Sequence, residues 1–439
     1  MSFDGSGRPF QARRAKFLQA VGEGTTAILP TAPVALRSGD VEFIYRQDSD
    51  FYYLTGFEEP EAIALFSPGH PDGDFVMFVR PRDKERETWT GRRAGVEGAM
   101  IEYGAVKAYV TDEFEKILPR YLEKSERIYY PIGRNEKLDE RVLKLVQWSS
   151  AMRPRIGSGP YAIVDPREFL HEARLRKEPA ELELMRRAAA ISAEAHKAAM
   201  RKARGGMKEW QIEAEVNFAF RSRGASGPSY PSIVASGPNG AILHHIENRR
   251  EMRDGELLLI DAGCEYEFYA SDITRTFPVG AKFTSLQREL YSIVLEAQRK
   301  GIERALPGAR FDDPHDAALR VLVDGMREVG LVKGSAQEVM EQGSYRRFYM
   351  HRTSHWLGMD VHDVGLYRVK GESRTLEPGM VLTVEPGLYI NEDCEEAPDH
   401  LRGIGIRIED DVLITEGGQE IITSATPKQI TDVETLTAG

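Results

Sequence analysis

Cysteine is nearly missing from this chain: Cys264 and Cys394 are the only two in 439 residues. Two thiols build no disulfide framework, so the fold must rest on its own cores, and a reducing compartment suits it. Long apolar runs are missing too. No stretch reaches the roughly 18 residues needed to cross a bilayer, and the opening MSFDGSGRPFQARRAKFLQ lacks the apolar centre of a secretory signal. A cytoplasmic protein with no membrane partner is therefore expected. Positive charge is in deficit, with 58 Lys and Arg against 69 Asp and Glu and a net charge of −11. Nucleic-acid binding needs a basic face. The one arginine cluster, Arg249, Arg250 and Arg253, alternates with Glu247, Glu251 and Asp254 and makes no net field, so no nucleic-acid partner is expected. There is no G-x-S-x-G, no phosphate-binding G-x-x-x-x-G-K-[ST] and no Rossmann glycine fingerprint. Cys264, within an apolar strand pattern, reads as a small buried residue and not as a nucleophile.

What the chain does have is an internal repeat. Asp254-Gly-Glu-Leu-Leu-Leu-Ile-Asp261-Ala-Gly263 and Pro378-Gly-Met-Val-Leu-Thr-Val-Glu385-Pro-Gly387 share one pattern. A glycine turn opens an apolar, β-prone run, and a single carboxylate ends it. Such a run predicts a strand buried on both faces, where a carboxylate is costly unless cations or donors compensate it. The duplication predicts two acids delivered to one site.

The length allows two or three domains. In the first part, strand patterns fall at Asp50–Gly56, Ala62–Phe66 and Phe75–Val79, with helical spacing from Phe114 to Val146 broken near Tyr129–Gly133. A break at Arg153–Pro160 leads to a second part. There Pro179 opens a helix on which His196 lies on the packed stripe as a core residue. Thr284 and Gln287 form a capping box for a second helix. Asp313 caps a third, with Pro314 in its first turn and Gly330 as its stop. Strand-rich segments follow at about 230–280 and 349–425. The expected fold class is α+β: an N-terminal mixed α/β domain over 1–174, then a C-terminal domain over 175–439 made of two similar α-then-β halves.

Within those halves, a hairpin turning near 266–267 would set Asp261 opposite Asp272, and one folding about 397 would set Glu385 against Glu409. Directly opposed strand residues place their Cβ atoms about 4.5–5.5 Å apart. Like charges at that separation repel unless one protonates or a cation lies between them. Four such acids suit hard divalent ions, and an added imidazole shifts preference towards Mn, Fe, Co or Zn. His244-His245, His351, His355 and His362 supply imidazoles. His351 and His355 have helical spacing, but no Glu follows the first, which argues against a zincin helix.

At these residues the chain resembles the Xaa-Pro aminopeptidases of the "pita-bread" metallopeptidases. The resemblance is carried by Ile260-Asp-Ala-Gly263, Ser271-Asp-Ile-Thr-Arg-Thr-Phe277, Ser354-His-Trp-Leu-Gly358, Asp360-Val-His-Asp363, Val384-Glu-Pro-Gly387 and Gly405-Ile-Arg-Ile-Glu409. Asp50–Phe57 and Trp89-Thr-Gly-Arg-Arg93 extend it into the N-terminal part. The resemblance implies a pita-bread fold for the C-terminal domain and two divalent ions, most typically Mn²⁺, held by Asp261, Asp272, His355, Glu385 and Glu409, with Asp272 and Glu409 between them. It implies that a metal-activated water attacks the carbonyl of the Xaa–Pro bond. Glu385 would pass the proton to the leaving nitrogen, His244 and His362 would hydrogen-bond substrate and oxyanion, His351 would line the proline pocket, and Arg407 would orient the carboxylates. The implied partners are peptides with proline second and further copies of the chain, as a homotetramer or homodimer in which Trp89 reaches a neighbouring site. Arg352 departs from the small residue common in that family. A prolidase acting on Xaa-Pro dipeptides, or a non-catalytic pita-bread binding module, stands as the alternative. Methionine aminopeptidases lack a comparably long N-terminal domain, and creatine-cleaving relatives depart from the ligand set.

Overall fold

Buried along their whole length, the runs Thr25–Pro30, Ile63–Phe66 and Phe75–Val79 form the middle of a six-stranded sheet. Its order is Lys107–Val110, Phe75–Val79, Ile63–Phe66, Thr25–Pro30, Arg127–Tyr129 and Ala162–Val164. The two central pairings are antiparallel and the three outer ones parallel. The computed structural model describes residues 8–280 and 282–438, and the chain divides into two compact units, Met1–Ala173 and Arg174–Gly439. In the first, helices Phe114–Leu122 and Glu136–Ile156 contribute Phe114, Leu118, Leu138 and Val142 to a core with Ile28, Leu65 and Phe78 of the sheet.

One expectation for this unit fails. Asp50–Gly56 is not a strand: Ser49–Thr55 is a helix. Its aromatic residues favour strands in general, but the ends decide otherwise. The Asp48 side chain accepts from Phe51 N, and Gly56 takes φ 67° to close the last turn. Within the expected break Arg153–Pro160 the helix Glu136–Ile156 stops at Gly157, its last turn having absorbed Pro154.

In the second unit each half is a helix pair followed by antiparallel strands. Helices Pro179–Lys202 and Glu209–Ser222 precede the sheet Ile233–Ser236, Leu257–Asp261, Thr274–Pro278. Helices Ser285–Ile302 and Asp313–Glu328 precede Val381–Val384, Asp410–Thr415, Gly418–Ile421. The Thr284–Gln287 capping box is present. Asp312, not Asp313, occupies the cap position of the next helix. His196 is fully buried, with Nε2 2.9 Å from the Ala262 carbonyl. One apolar cluster joins both helix pairs to the first sheet and to the ribbon residues Leu388, Tyr389, Ile390 and Ile406, while Leu382, Val384, Val412 and Ile414 of the second sheet belong to another.

The registers separate one hairpin expectation from the other. Val384 faces Asp410, and Gly387 faces Arg407 in the short ribbon Gly387–Ile390, Ile404–Arg407. The register thus runs unbroken past Glu385 and Glu409, leaving them opposite one another. The first hairpin is offset by two residues: Asp261 faces Thr274, not Asp272. The turn lies at Glu267-Phe268, both at positive φ (47° and 68°), with Tyr266 paired to Tyr269. That is the backbone of a two-residue hairpin turn. Asp272 then sits beyond the end of the Thr274–Pro278 strand, across from Gly263. A Cβ at Gly263 would lie 1.7 Å from the Ser271 carbonyl oxygen, which explains why the repeat ends in glycine there.

A buried ion cluster fastens the Asp360-Val-His-Asp363 segment. Asp363 accepts from Arg174 (2.6 Å) and Lys177 (2.9 Å), and all three side chains are almost wholly buried. Burial opposes the carboxylate, but Lys177 and Arg174 outweigh it and hold Asp363 below the ordinary carboxylate range. We expect Asp363→Asn to cost about 3–5 kcal/mol in urea unfolding at neutral pH, since it takes the buried carboxylate away from Lys177 and leaves Arg174 with Asp360 alone of its two acids here. A folded-state pKa below the unfolded one stabilises fully above the unfolded value, about 3.9, and less as pH falls through the folded one. The stability gap between wild type and variant should therefore close in acid; a gap constant with pH would contradict this assignment.

Candidate metal centre

Where the two halves meet, Thr274 and Glu409 are joined twice. Glu409 N donates to Thr274 O (3.1 Å), and Thr274 Oγ1 donates to Glu409 Oε2 (2.6 Å). Next to them the Thr276 hydroxyl donates to Arg407 O (3.0 Å) and accepts from Arg407 N (3.2 Å). This seam brings the strand-end acids of one half against those of the other.

Among the described residues, ligand atoms of Asp272, His355 and Glu409 lie within 4.8 Å of one another. His355 Nε2 is 3.4 Å from Asp272 Oδ2 and 3.5 Å from Glu385 Oε1. His355 Nδ1 lies 3.0 Å from the Trp356 carbonyl. Donation there leaves Nε2 facing the acids, the nitrogen through which a ligating imidazole would bind. Asp261 joins through two neighbours: Arg407 Nη2 donates to its Oδ2 at 2.6 Å, and the Tyr230 hydroxyl is 2.6 Å from its Oδ1. The same hydroxyl also contacts Asp272 Oδ1. Having one proton, it serves one carboxylate at a time.

The electrostatics are those of an anionic cluster short of positive charge. Burial, reinforced by the neighbouring acids, pushes Glu409 well above its ordinary range and raises Asp272. Burial lifts Glu385 to about 8, with Asp272 and Asp261 adding to the rise and His355 and Arg407 only partly relieving it. Burial opposes a charge on His355, yet Asp272 and Glu385 raise it to about 9. Asp411, fully buried, accepts from Asp272 N (3.1 Å) through Oδ2, while its Oδ1 has no hydrogen-bond partner among the described residues. Four facing carboxylates with one guanidinium and one imidazole leave a deficit that hard divalent cations fit in charge and donor type.

The remaining expected residues lie around this centre. His351 Nε2 accepts from the Tyr389 hydroxyl (2.8 Å), which accepts from Arg407 Nη1 (3.0 Å). Burial first, then Arg407, lowers His351 to about 4, so the ring is neutral. Its Nδ1 is 3.9 Å from Glu385 Oε2. His362 is exposed, its ring centroid 4.4 Å from that of His355. His244, also exposed, is close enough for its charge to act on His362. Its neighbour His245 is a structural residue, held at 3.0 Å by the buried Glu209. The carboxylate that Arg407 reaches is Asp261 of the other half; among the described residues no hydrogen bond to Glu409 accompanies it. Tyr230, Tyr389, Thr274 and Asp411 were not singled out from sequence. Tyr230 sits in the turn-rich Gly227-Pro-Ser-Tyr-Pro231, and Tyr389 lies two residues beyond the repeat's final glycine. Those positions were the available signals.

Comparison with known proteins agrees with this geometry. The pattern of metallopeptidase family M24 matches residues 183–416, and that of the aminopeptidase P N-terminal domain matches 10–129. The chain belongs to metallopeptidase family M24. It is 44% identical to the Xaa-Pro aminopeptidase of Escherichia coli over 98% of both chains, and 34% identical to human Xaa-Pro aminopeptidase 3 over 94% of this chain and 81% of that one. The solved structure of Pseudomonas aeruginosa aminopeptidase PepP superposes with TM-score 0.95 at 46% identity, covering 98% of each chain. An E. coli aminopeptidase P structure with the inhibitor Pro-Leu superposes with TM-score 0.94 at 44% identity, again over 98% of each. A family of this kind works with divalent metal, and the M24 segment contains every acid and histidine of the cluster.

Tyr230→Phe removes the hydroxyl between Asp261 and Asp272 but keeps the ring. Calorimetric metal titration should show affinity about tenfold weaker or worse; unchanged affinity would mean that Tyr230 does not order the two acids.

Proposed function

We propose that this M24 chain is an exopeptidase that hydrolyses the Xaa–Pro bond, releasing the N-terminal residue of peptides with proline second. The observation that carries this reading is the convergence of Asp261, Asp272, His355, Glu385 and Glu409 from two duplicated halves, in a chain that matches Xaa-Pro aminopeptidases almost end to end. We assign these five as the residues that would hold two divalent ions, Mn²⁺ in preference. All-oxygen donors plus one imidazole support a borderline-hard metal. Bound there, the ions would supply a nucleophilic water at neutral pH and polarise the peptide carbonyl.

The chain's own residues do the rest. Glu385 is buried among acids that favour its protonated form, which suits it to hold a proton and deliver it to the leaving proline nitrogen. His244 and His362, both exposed, would hydrogen-bond the substrate and the oxyanion that develops on the carbonyl oxygen. His351, kept neutral and oriented by Tyr389, offers a flat uncharged wall to the proline ring. Arg407 fixes Asp261 and, through Tyr389, His351, tying ligand geometry to pocket geometry.

We further infer a cytoplasmic homo-oligomer, tetramer or dimer. Two free cysteines support the compartment. Trp89, 85% exposed, and Ile44, 97% exposed, support a protein partner surface. No helix among the described residues is long and apolar enough to cross a membrane.

The deciding assay compares Xaa-Pro with Xaa-Pro-Yaa peptides, with and without Mn²⁺. Metal-dependent cleavage of the longer peptides is expected. Dipeptides cut far faster would favour a prolidase, and no cleavage of either with metal bound would favour a binding module. Glu385→Ala should lower turnover about a hundredfold or more, and near-normal turnover would sink the proton-transfer role.

A further inference from the structure

The segment after the neutral histidine, Arg352-Thr353, is fastened more firmly than its position in a long irregular loop requires. Thr353 O accepts from Glu385 N (2.9 Å). Its hydroxyl oxygen accepts from Tyr349 OH (2.6 Å), and its N–H points at His315 Nδ1 (3.3 Å), which also lies 2.9 Å from Oγ1. Thr353 and His315 are both buried. Arg352 is thereby set one residue from the backbone partner of Glu385 and one from His351.

Its guanidinium is turned to Asp312, where Arg352 Nη2 bonds Oδ1 while Arg368 Nη2 bonds Oδ2 at 2.9 Å. Asp312 holds the cap position of helix Asp313–Glu328, yet its side chain makes no cap bond. It serves the two arginines. One carboxylate between two guanidiniums leaves a surplus positive charge, and both arginine side chains are more than half exposed (56% and 59%). Among the described residues, Asp313 and Asp316 form no ion pair with either arginine, and Asp313 accepts from Arg310 N. The Tyr349 ring lies 4.9 Å from that of His351, so the loop that carries Arg352 packs against the proposed proline wall.

We propose that Arg352 and Arg368, braced by Asp312, form a specificity site for a peptide carboxylate on the leaving-group side of the scissile bond. Short peptides ending one residue after the proline are then the favoured substrate class. This rests on the exopeptidase reading above. An extended peptide advances about 3.3–3.6 Å per residue, so a carboxylate on the residue after proline lies roughly 7 Å past the cleaved bond, a span an arginine arm covers from position 352. Planar guanidiniums accept a carboxylate in a forked geometry that a lysine cannot reproduce.

The test uses the metal-loaded protein and Xaa-Pro-Yaa peptides as free acids and as C-terminal amides. We expect kcat/KM for the acid to exceed that for the amide by about fivefold to tenfold at low salt, with the ratio shrinking as salt rises. Arg352→Gln should bring the ratio close to one. Asp312→Asn, which frees both guanidiniums, should raise it, so the two variants move in opposite directions. A second pair of amides, with Yaa as Glu or Gln, separates a side-chain carboxylate from a C-terminal one: a preference for Glu lost in Arg352→Gln assigns the site to the side chain. A wild-type ratio near one in both pairs, or ratios that neither variant moves, overturns the site. Absence of any cleavage by the wild type would instead overturn the exopeptidase reading.

Discussion

Carboxylates crowded into a buried seam are the constraint to which the rest of the second unit answers. Asp261, Asp272, Glu385 and Glu409 approach one another where water cannot screen them. Two unit charges about 4 Å apart interact by roughly 4 kcal/mol even at an effective dielectric of 20. The surroundings hold that repulsion in place without removing it. Thr274 donates to Glu409, Arg407 and Tyr230 to Asp261, and His355 stands between Asp272 and Glu385. The raised carboxyls measure what stays uncompensated, and divalent cations are the natural remedy.

The duplication brings the acids together, and the differences between the halves give them separate work. Asp261 is saturated with partners from across the seam, which suits a fixed ligand. Among the described residues Glu385 has only long contacts, from the Thr383 hydroxyl at 3.4 Å, His355 at 3.5 Å and His351 at 3.9 Å, which suits a group that must change protonation. Arg407 lies in the second half but bonds the acid of the first, then reaches Tyr389 and through it His351. A displacement on one side of the seam would thus be felt at the proposed proline wall. The anchoring of Thr353 beneath Arg352 continues the same economy: one strand end carries the proposed proton donor, and the loop bonded to it carries the residues facing the rest of the peptide.

Much of this was legible because strand pattern and hairpin register are nearly the same information. The run before Glu385 and the run before Glu409 share one register, and folding about 397 follows from their lengths. The first hairpin was legible only to within two residues. Nothing in Glu267-Phe268 advertises a turn, since neither is a glycine or asparagine, yet both take left-handed backbone angles. The helix at Ser49–Thr55 was hidden for a similar reason: its residues favour strands, and its caps, Asp48 and Gly56, outweighed them. Tyr230 escaped notice because its role depends on two acids more than thirty residues away in sequence.

The sequence by itself determined that the chain carries duplicated strands ending in acids, with histidines interspersed and no competing catalytic motif. Those features are local: apolar period, turn glycines and residue chemistry are written in consecutive letters. Only the tertiary structure decided that Thr274 bonds Glu409, that Arg407 serves Asp261 and not its own neighbour, and that His315 and Tyr349 pin Thr353 beneath Glu385. Those pairings arise where two halves pack, and packing is set by the joint burial of surfaces far apart in sequence, which no local pattern encodes.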